Sequence, residues 1–186
     1  MHDIPDSEPA LAAPPRFSPA DVESILLRNH WLSSPAAANP SPELSAWLAR
    51  ASVLLSPQSS GIAQLESLLR LIFEYDAARA LSLPENQDIL TREGAREVIR
   101  EFSNLLLDVP ALDSDSFKSL IESVKRATPF RSRELFQPIR LALTGHSGGG
   151  EFDRVILLLD SASTLDFQAP VKSSRQRIVE FLSALD

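Results

Sequence analysis

The chain has 186 residues, of which 44% are hydrophobic and 23% charged, and this composition fits one globular domain or two small ones. The sequence contains no cysteine, which excludes disulfides, thiolate zinc sites and cysteine nucleophiles, and its three histidines are scattered. We therefore expect no metal site and no cofactor. The net charge of -7 means that any nucleic-acid binding must come from a local basic patch.

The first residues are acidic and rich in proline. The segment Met1–Pro15 contains four prolines and few large apolar side chains, which predicts a disordered leader over residues 1–16. The segment lacks the basic start of a secretory signal, and no apolar run approaches the roughly 18 residues that cross a bilayer. We expect a cytoplasmic protein without membrane contact.

From Phe17 onward the leucine spacing predicts an all-α fold, because no stretch alternates with a period of two. Serine followed by proline marks two helix starts, and glycine ends a later helix. The residues predicted to begin, break or end helices are, in chain order, Ser18, Ser41, Leu83–Pro84 with Asn86, Thr91, Asp113 or Ser114, Arg133, Gly145, Phe152 and Arg175.

The helices are predicted to form two small packed bundles, a subdomain over residues 17–107 and a C-terminal subdomain over residues 108–186. Trp31 and Trp47 fall on apolar helix faces, so we expect both in the core.

Motifs of common enzyme sites are missing from the sequence. Gly148–Gly150 follows a predicted helix and has no P-loop lysine, so we interpret the three glycines as a flexible turn. No Gly-x-Ser-x-Gly nucleophile elbow occurs. Asp113 and Asp115 are interpreted as helix-start residues that interact with the helix dipole. We find no catalytic residues.

One stretch is locally basic. Residues 118–140 contain six cations and two carboxylates in an otherwise acidic protein. Such a patch beside a helix end suits a polyanion, and the alternative is a solvated helical surface. The cations are Lys118, Lys125, Arg126, Arg131, Arg133 and Arg140.

Residues 134–152 read ELFQPIRLALTGHSGGGEF. This run resembles the Phe-x-Pro-Leu-Arg-x-Ala-Leu-Thr-Gly segment of the C-terminal anticodon-binding domain of bacterial glutamyl-tRNA synthetases. The resemblance extends backwards through residues 68–76 and 91–102 to the predicted helix at 17–31. It covers about residues 17–159 and is strongest from Pro138 to Gly145.

The resemblance implies an α-helical domain that contacts the anticodon arm of tRNA. It implies two partners. One is a tRNA specific for glutamate, and the other is a separately encoded catalytic domain whose aminoacylation reaction this chain assists in trans. Anticodon bases are single-stranded, so they can be stacked on flat groups and read at their edges. The residues assigned to RNA binding on this basis are Arg133, Arg140, Thr144, His146, Gly149, Gly150 and Phe152.

The sequence departs from the family in several places. These 186 residues contain neither the His-x-Gly-His-like nor the Lys-Met-Ser-Lys-Ser-like signature of the catalytic half, so we do not expect the chain to activate glutamate alone. Glycine stands at position 150, where the family has proline, which predicts a looser loop. Residues 56–61 lack the family's basic side chains, and the family's arginine for the last anticodon base falls near Pro14.

Several residues have structural alternatives. Arg140 could pair with a helix carboxylate such as Glu134, and Thr144 could close the turn. His146 could be an idle loop residue. A second function therefore stays open beside RNA binding, namely a helical protein-interaction module that kept the fold and lost RNA binding.

Overall fold

A computed structural model describes residues 15–186, so residues 1–14, with most of the predicted leader and the position near Pro14, lie outside it. The described residues form eleven α-helices and one 3-10 turn and contain no strand, which confirms the all-α prediction. None of these helices is long and apolar enough to span a bilayer. The helices are α1 (Pro19–Arg28), α2 (Ser34–Ala38), α3 (Pro42–Leu55), α4 (Ile62–Phe73), α5 (Ala77–Ser82), α6 (Pro84–Leu90), α7 (Ala95–Leu106), α8 (Ser114–Ala127), α9 (Ser132–Thr144), α10 (Glu151–Ser163) and α11 (Ser174–Leu185), with the 3-10 turn at Ser56–Gln58.

The predicted helix starts at Ser18, Ser41 and Asp113 are confirmed. Each side chain accepts a hydrogen bond from the backbone N–H three residues later, which satisfies one free donor of the first helical turn.

The start predicted at Thr91 is wrong, because Thr91 ends α6 instead. Helix α7 begins after Gly94, whose φ of 81° lies in the left-handed region. A Cβ on Gly94 would lie 1.9 Å from the ring of Phe130, so only glycine lets this ring pack here. A threonine before a helical pattern indicated the boundary, but backbone conformation placed it three residues later.

The break predicted at Leu83–Pro84 is a single residue wide. Leu83 separates α5 from α6, and Pro84 takes the first position of α6, where its missing N–H costs nothing. Asn86 is not a breaker but a buried residue inside α6.

Helix α10 lies at the centre of the molecule and packs against α3, α4 and α9. Trp47 on α3 donates its indole N–H to the carbonyl of Leu158 at 3.3 Å. Trp31 stacks on Phe73 with ring centroids 4.8 Å apart, so the core positions predicted for both tryptophans are confirmed. The division at residues 107/108 stays a prediction, although helices from both sides contribute to one continuous hydrophobic core.

A buried arginine joins the ends of α4 and α9. Arg177 on α11 is fully buried and donates to the carbonyls of Leu71 and Ile72 on α4 and of Leu143 on α9. Burial lowers its pKa to about 10, which still leaves the guanidinium charged at neutral pH. The last carbonyls of a helix have no partner within the helix and carry its negative dipole end, so one cation caps both helices.

Candidate nucleic-acid interface

The residues of the strongest resemblance form the second half of α9 and the turn that follows. The helix predicted over 133–143 spans Ser132–Thr144, and Gly145 ends it in the left-handed conformation. Pro138 lies inside the helix and does not end it. The loop from Gly145 to Gly150, called the α9–α10 loop below, then leads into α10.

Two buried polar side chains hold the start of the α9–α10 loop. The hydroxyl of Thr144 donates to the carbonyl of Arg140 at 2.8 Å and accepts from the N–H of His146 at 3.3 Å. The amide of Asn86 donates to the carbonyls of Ala80 and Gly145 at 2.8 and 3.0 Å. Thr144 is 1% exposed, so its hydroxyl shapes the turn from within.

Arg140 bridges the loop and the first turn of α10. Its Nε and Nη2 atoms donate to the two carboxylate oxygens of Asp153 at 2.7 and 2.8 Å. Nη1 donates to the carbonyl of Gly148 at 3.2 Å, and the guanidinium lies 5.1 Å from the ring centroid of Phe136. The side chain is 13% exposed. Arg140 thus pairs with a helix carboxylate, but this carboxylate is Asp153 and not Glu134.

Phe152 packs over the loop. A Cβ on Gly148 would lie 2.3 Å from its ring, so the ring and the glycine backbone are in close contact. Gly149 and Gly150 are exposed, and the N–H groups of Gly148 and Gly150 have no hydrogen-bond partner among residues 15–186. Gly150 has a φ of -63°, the value that proline imposes, so the expected loosening does not appear in the backbone shape.

A groove of about 450 Å³ separates the loop from the start of α9 and is called the α9 groove. Arg133 is exposed at its edge and forms no salt bridge with the part of the chain that the structure describes. The groove is lined by Ser132, Arg133, Phe136, Gln137, Arg140 and Ser147–Gly149.

Only part of the remaining predicted basic patch is free to bind an anion. Lys125 pairs with Glu122 at 2.8 Å, and Arg131 donates to the carbonyls of its own turn. Lys118 and Arg126 are exposed on α8. The six cations therefore do not act as one charged face, because Lys125 and Arg140 are neutralised within the fold.

His146 is exposed beside a second groove of about 620 Å³ formed with α4 and α5, which we call the α5 groove. Loss of hydration lowers the pKa of the His146 imidazole below its usual value, and Arg79 lowers it further, while Glu85 opposes both effects. The imidazole is therefore neutral at pH 7 in the free protein. Within residues 15–186 no cluster of side chains could hold a metal ion.

Sequence reasoning missed two residues that hold this site. Asp153 could have been found as an acidic residue in the first turn of the helix after the loop, a favoured position for a carboxylate. Asn86 left no comparable signal, because its contact with Gly145 joins residues 59 positions apart.

Comparison with known proteins gives one family match. The profile of a family described as "Anticodon binding domain" matches residues 25–166. Curated relatives are glutamate–tRNA ligases of Bacillus mycoides (strain KBAB4), 30% identical over 128 residues, and of Bacillus pumilus (strain SAFR-032), 29% identical over 130 residues. The alignments cover 69% and 68% of this chain, and the chain spans about a quarter (26%) of the length of each relative. No solved structure matches.

Proposed function

The chain belongs to the anticodon-binding domain family, and from this premise we propose that it binds the anticodon arm of a tRNA through the α9–α10 loop. The chain is similar to about a quarter of the length of glutamate–tRNA ligases of Bacillus, over the region that matches this family.

The observation that carries the proposal is an exposed glycine loop held rigidly beside two grooves. The bonds of Arg140, Thr144 and Asn86 fix the loop backbone before any ligand arrives. The N–H groups of Gly148 and Gly150 have no acceptor among residues 15–186, so they can donate to phosphates or base edges. A preorganised loop loses little entropy on binding, which favours recognition of unstacked bases.

We assign different roles to the predicted contact residues. Arg133, His146, Gly149 and Gly150 contact the RNA from exposed positions, and half-buried Phe152 offers a ring beside them. Arg140 and Thr144 act mainly by holding the loop, since the hydroxyl is buried and most of the guanidinium donors are used.

The tRNA we propose is specific for glutamate, because the relatives carry the name glutamate–tRNA ligase. The 186 residues contain no signature of a class I catalytic half, so the chain would assist aminoacylation by a separate catalytic domain. Direct binding and help in trans are separate steps, and the titration below tests direct binding.

The first test is a filter-binding titration against glutamate tRNA, total tRNA and the isolated anticodon stem-loop, at low and moderate salt. We expect salt-sensitive binding that favours glutamate tRNA and is retained by the stem-loop. Equal weak binding to every RNA would indicate charge attraction alone and contradict the specificity. Absence of binding at low salt would overturn the proposed function.

A second candidate function is a protein-interaction module, and the internal neutralisation of the basic patch favours it. Arg140 and Lys125 form ion pairs within the fold, and the net charge is -7. This alternative predicts no tRNA binding in the same titration and a co-purifying protein partner.

A further inference from the structure

The α5 groove is a second recess on the α9–α10 loop that the sequence did not indicate. Its volume of about 620 Å³ is within the range of small-ligand sites and can admit a nucleotide. Its walls are the α4–α5 segment on one side and Thr144–His146 on the other.

Helix α5 lies close to the loop and is joined to it by hydrogen bonds from Asn86. The side chain of Ala80 would lie 3.5 Å from a Cβ on Gly145, which is ordinary van der Waals distance. Asn86 donates to both the Ala80 and the Gly145 carbonyls. Arg79, next to Ala80, is therefore held close to the loop, although 66 residues separate Arg79 from Gly145 along the chain.

Two side-chain hydrogen-bond donors at this groove are free. The guanidinium of Arg79 and the imidazole of His146 form no hydrogen bond within residues 15–186. Glu74 is engaged by Arg70 at 2.6 Å, and Asp76 accepts from the backbone N–H of Arg79 at 2.9 Å.

Glu85 is the remaining carboxylate that acts on His146. Glu74 is paired with Arg70, and Asp76 lines the groove as a second carboxylate, so Arg79 and His146 are the free side-chain donors that an anion in the groove could use. The nearby carboxylates limit the attraction, so the groove suits one phosphodiester rather than a highly charged ligand.

We propose that Arg79 binds a phosphate of the RNA strand where the strand leaves the α9–α10 loop, with His146 as a second donor. This inference rests on the proposed function and extends the interface from the α9 groove into the α5 groove. A phosphate oxygen accepts from lysine as well as from arginine, whereas a planar bidentate contact of this side chain with a base edge would need the fork of arginine.

The test compares Arg79→Ala, Arg79→Lys and Arg79→Glu in filter binding to the glutamate anticodon stem-loop across a salt series. Arg79 is exposed on its helix, so these variants keep the fold. We expect Arg79→Ala to weaken binding about two- to fivefold and Arg79→Glu to weaken it more. The slope of log affinity against log salt is negative, and its magnitude should be smaller by about 0.7 in Arg79→Ala. Arg79→Lys should retain most of the affinity.

Arg50→Ala is the matched control, since it removes the same charge from an exposed site on α3. Arg50 lies far from the loop, as its neighbours show. It lowers the pKa of Asp113, and the N–H of the adjacent Leu112 donates to Asp160 near the far end of α10. With 1.5 Å per residue, Asp160 lies about 14 Å along α10 from the loop. Equal effects of Arg50→Ala and Arg79→Ala would overturn the α5 groove while leaving tRNA binding intact. Failure of the unmodified protein to bind would overturn both proposals.

Discussion

At the scale of single residues, the ion pair of Arg140 with Asp153 determines how Arg140 contributes to the candidate interface. The guanidinium donates to both carboxylate oxygens and to the Gly148 carbonyl, so it links α9, the loop and α10. An arginine used in this way acts on a ligand mainly through the loop that it holds. The carboxylate is then part of the binding machinery, although its charge repels RNA.

This role predicts that Asp153→Asn weakens tRNA binding even though it removes a negative charge near the RNA. Loss of one bidentate partner should also lower the free energy of unfolding by about 1–2 kcal/mol. Arg140→Lys should behave like Arg140→Ala, because a lysine cannot reproduce the two parallel bonds. Filter binding and urea unfolding measure the two effects.

The double variant with alanine at Arg140 and Asp153 serves as the control. If Arg140 acts by positioning, the double variant should lose no more affinity than Arg140→Ala alone. A gain of affinity in Asp153→Asn would instead mean that the carboxylate only competes with RNA for Arg140, and would contradict the positioning role.

At the scale of elements, the α9–α10 connection has a proline-compatible backbone at a glycine. Gly150 has a proline-like φ, its N–H is not used within the described chain, and a Cβ there would meet nothing within 4 Å. We expect Gly150→Pro to raise the free energy of unfolding by about 0.4–1 kcal/mol, by restricting the unfolded chain, and to weaken tRNA binding, because proline removes one of the two free N–H groups of the loop. Chemical denaturation checks the first effect and filter binding the second.

Gly148→Ala is the contrasting change in the same loop. Its Cβ would lie 2.3 Å from the ring of Phe152, so the ring must move and the protein should lose stability. A lower denaturation midpoint in Gly150→Pro would show that the N–H or the flexibility of Gly150 is needed in the native loop.

Capping residues and leucine spacing, which are local features of the sequence, made the helices predictable. The same features did not predict how the connections between helices pack. The caps at Ser18, Ser41 and Asp113 follow from short-range hydrogen bonds, which depend on three or four consecutive residues. Gly94, where α7 starts, packs against the ring of Phe130, which is 36 positions away, and no local pattern could indicate this contact.

The candidate site follows the same division. Its segment was predictable because α9 and the glycine loop are contiguous, and the resemblance pointed to them. The partner of Arg140 was not, because helical spacing offers residues three or four positions away, whereas Asp153 approaches across the loop. Arg177 on α11 and Tyr75, between α4 and α5, both donate to carbonyls in the last turn of α9, and their neighbours in the sequence do not indicate these distant partners.

At the scale of the whole molecule, the proposed binding of a polyanion would occur against the protein's own net charge of -7. The local cations have to overcome that repulsion, so any added positive charge beside the loop should be visible in the affinity. His146 is the residue at the loop that can gain a charge near neutral pH.

We therefore expect tRNA affinity to rise as the pH falls from about 7.5 to about 5.5. The pKa of His146 is lowered in the free protein, so the imidazole starts mainly neutral. The phosphate that we propose beside it would raise this pKa in the complex. Proton uptake on binding means that lower pH favours the complex. Because the free folded protein also holds this proton less tightly than the unfolded chain, acidification through the same range slightly lowers its stability.

His146→Gln should lose most of the pH dependence in filter binding, whereas His30→Asn, at a left-handed position that asparagine tolerates, should keep it. An unchanged pH profile in His146→Gln would place the RNA away from this side of the loop.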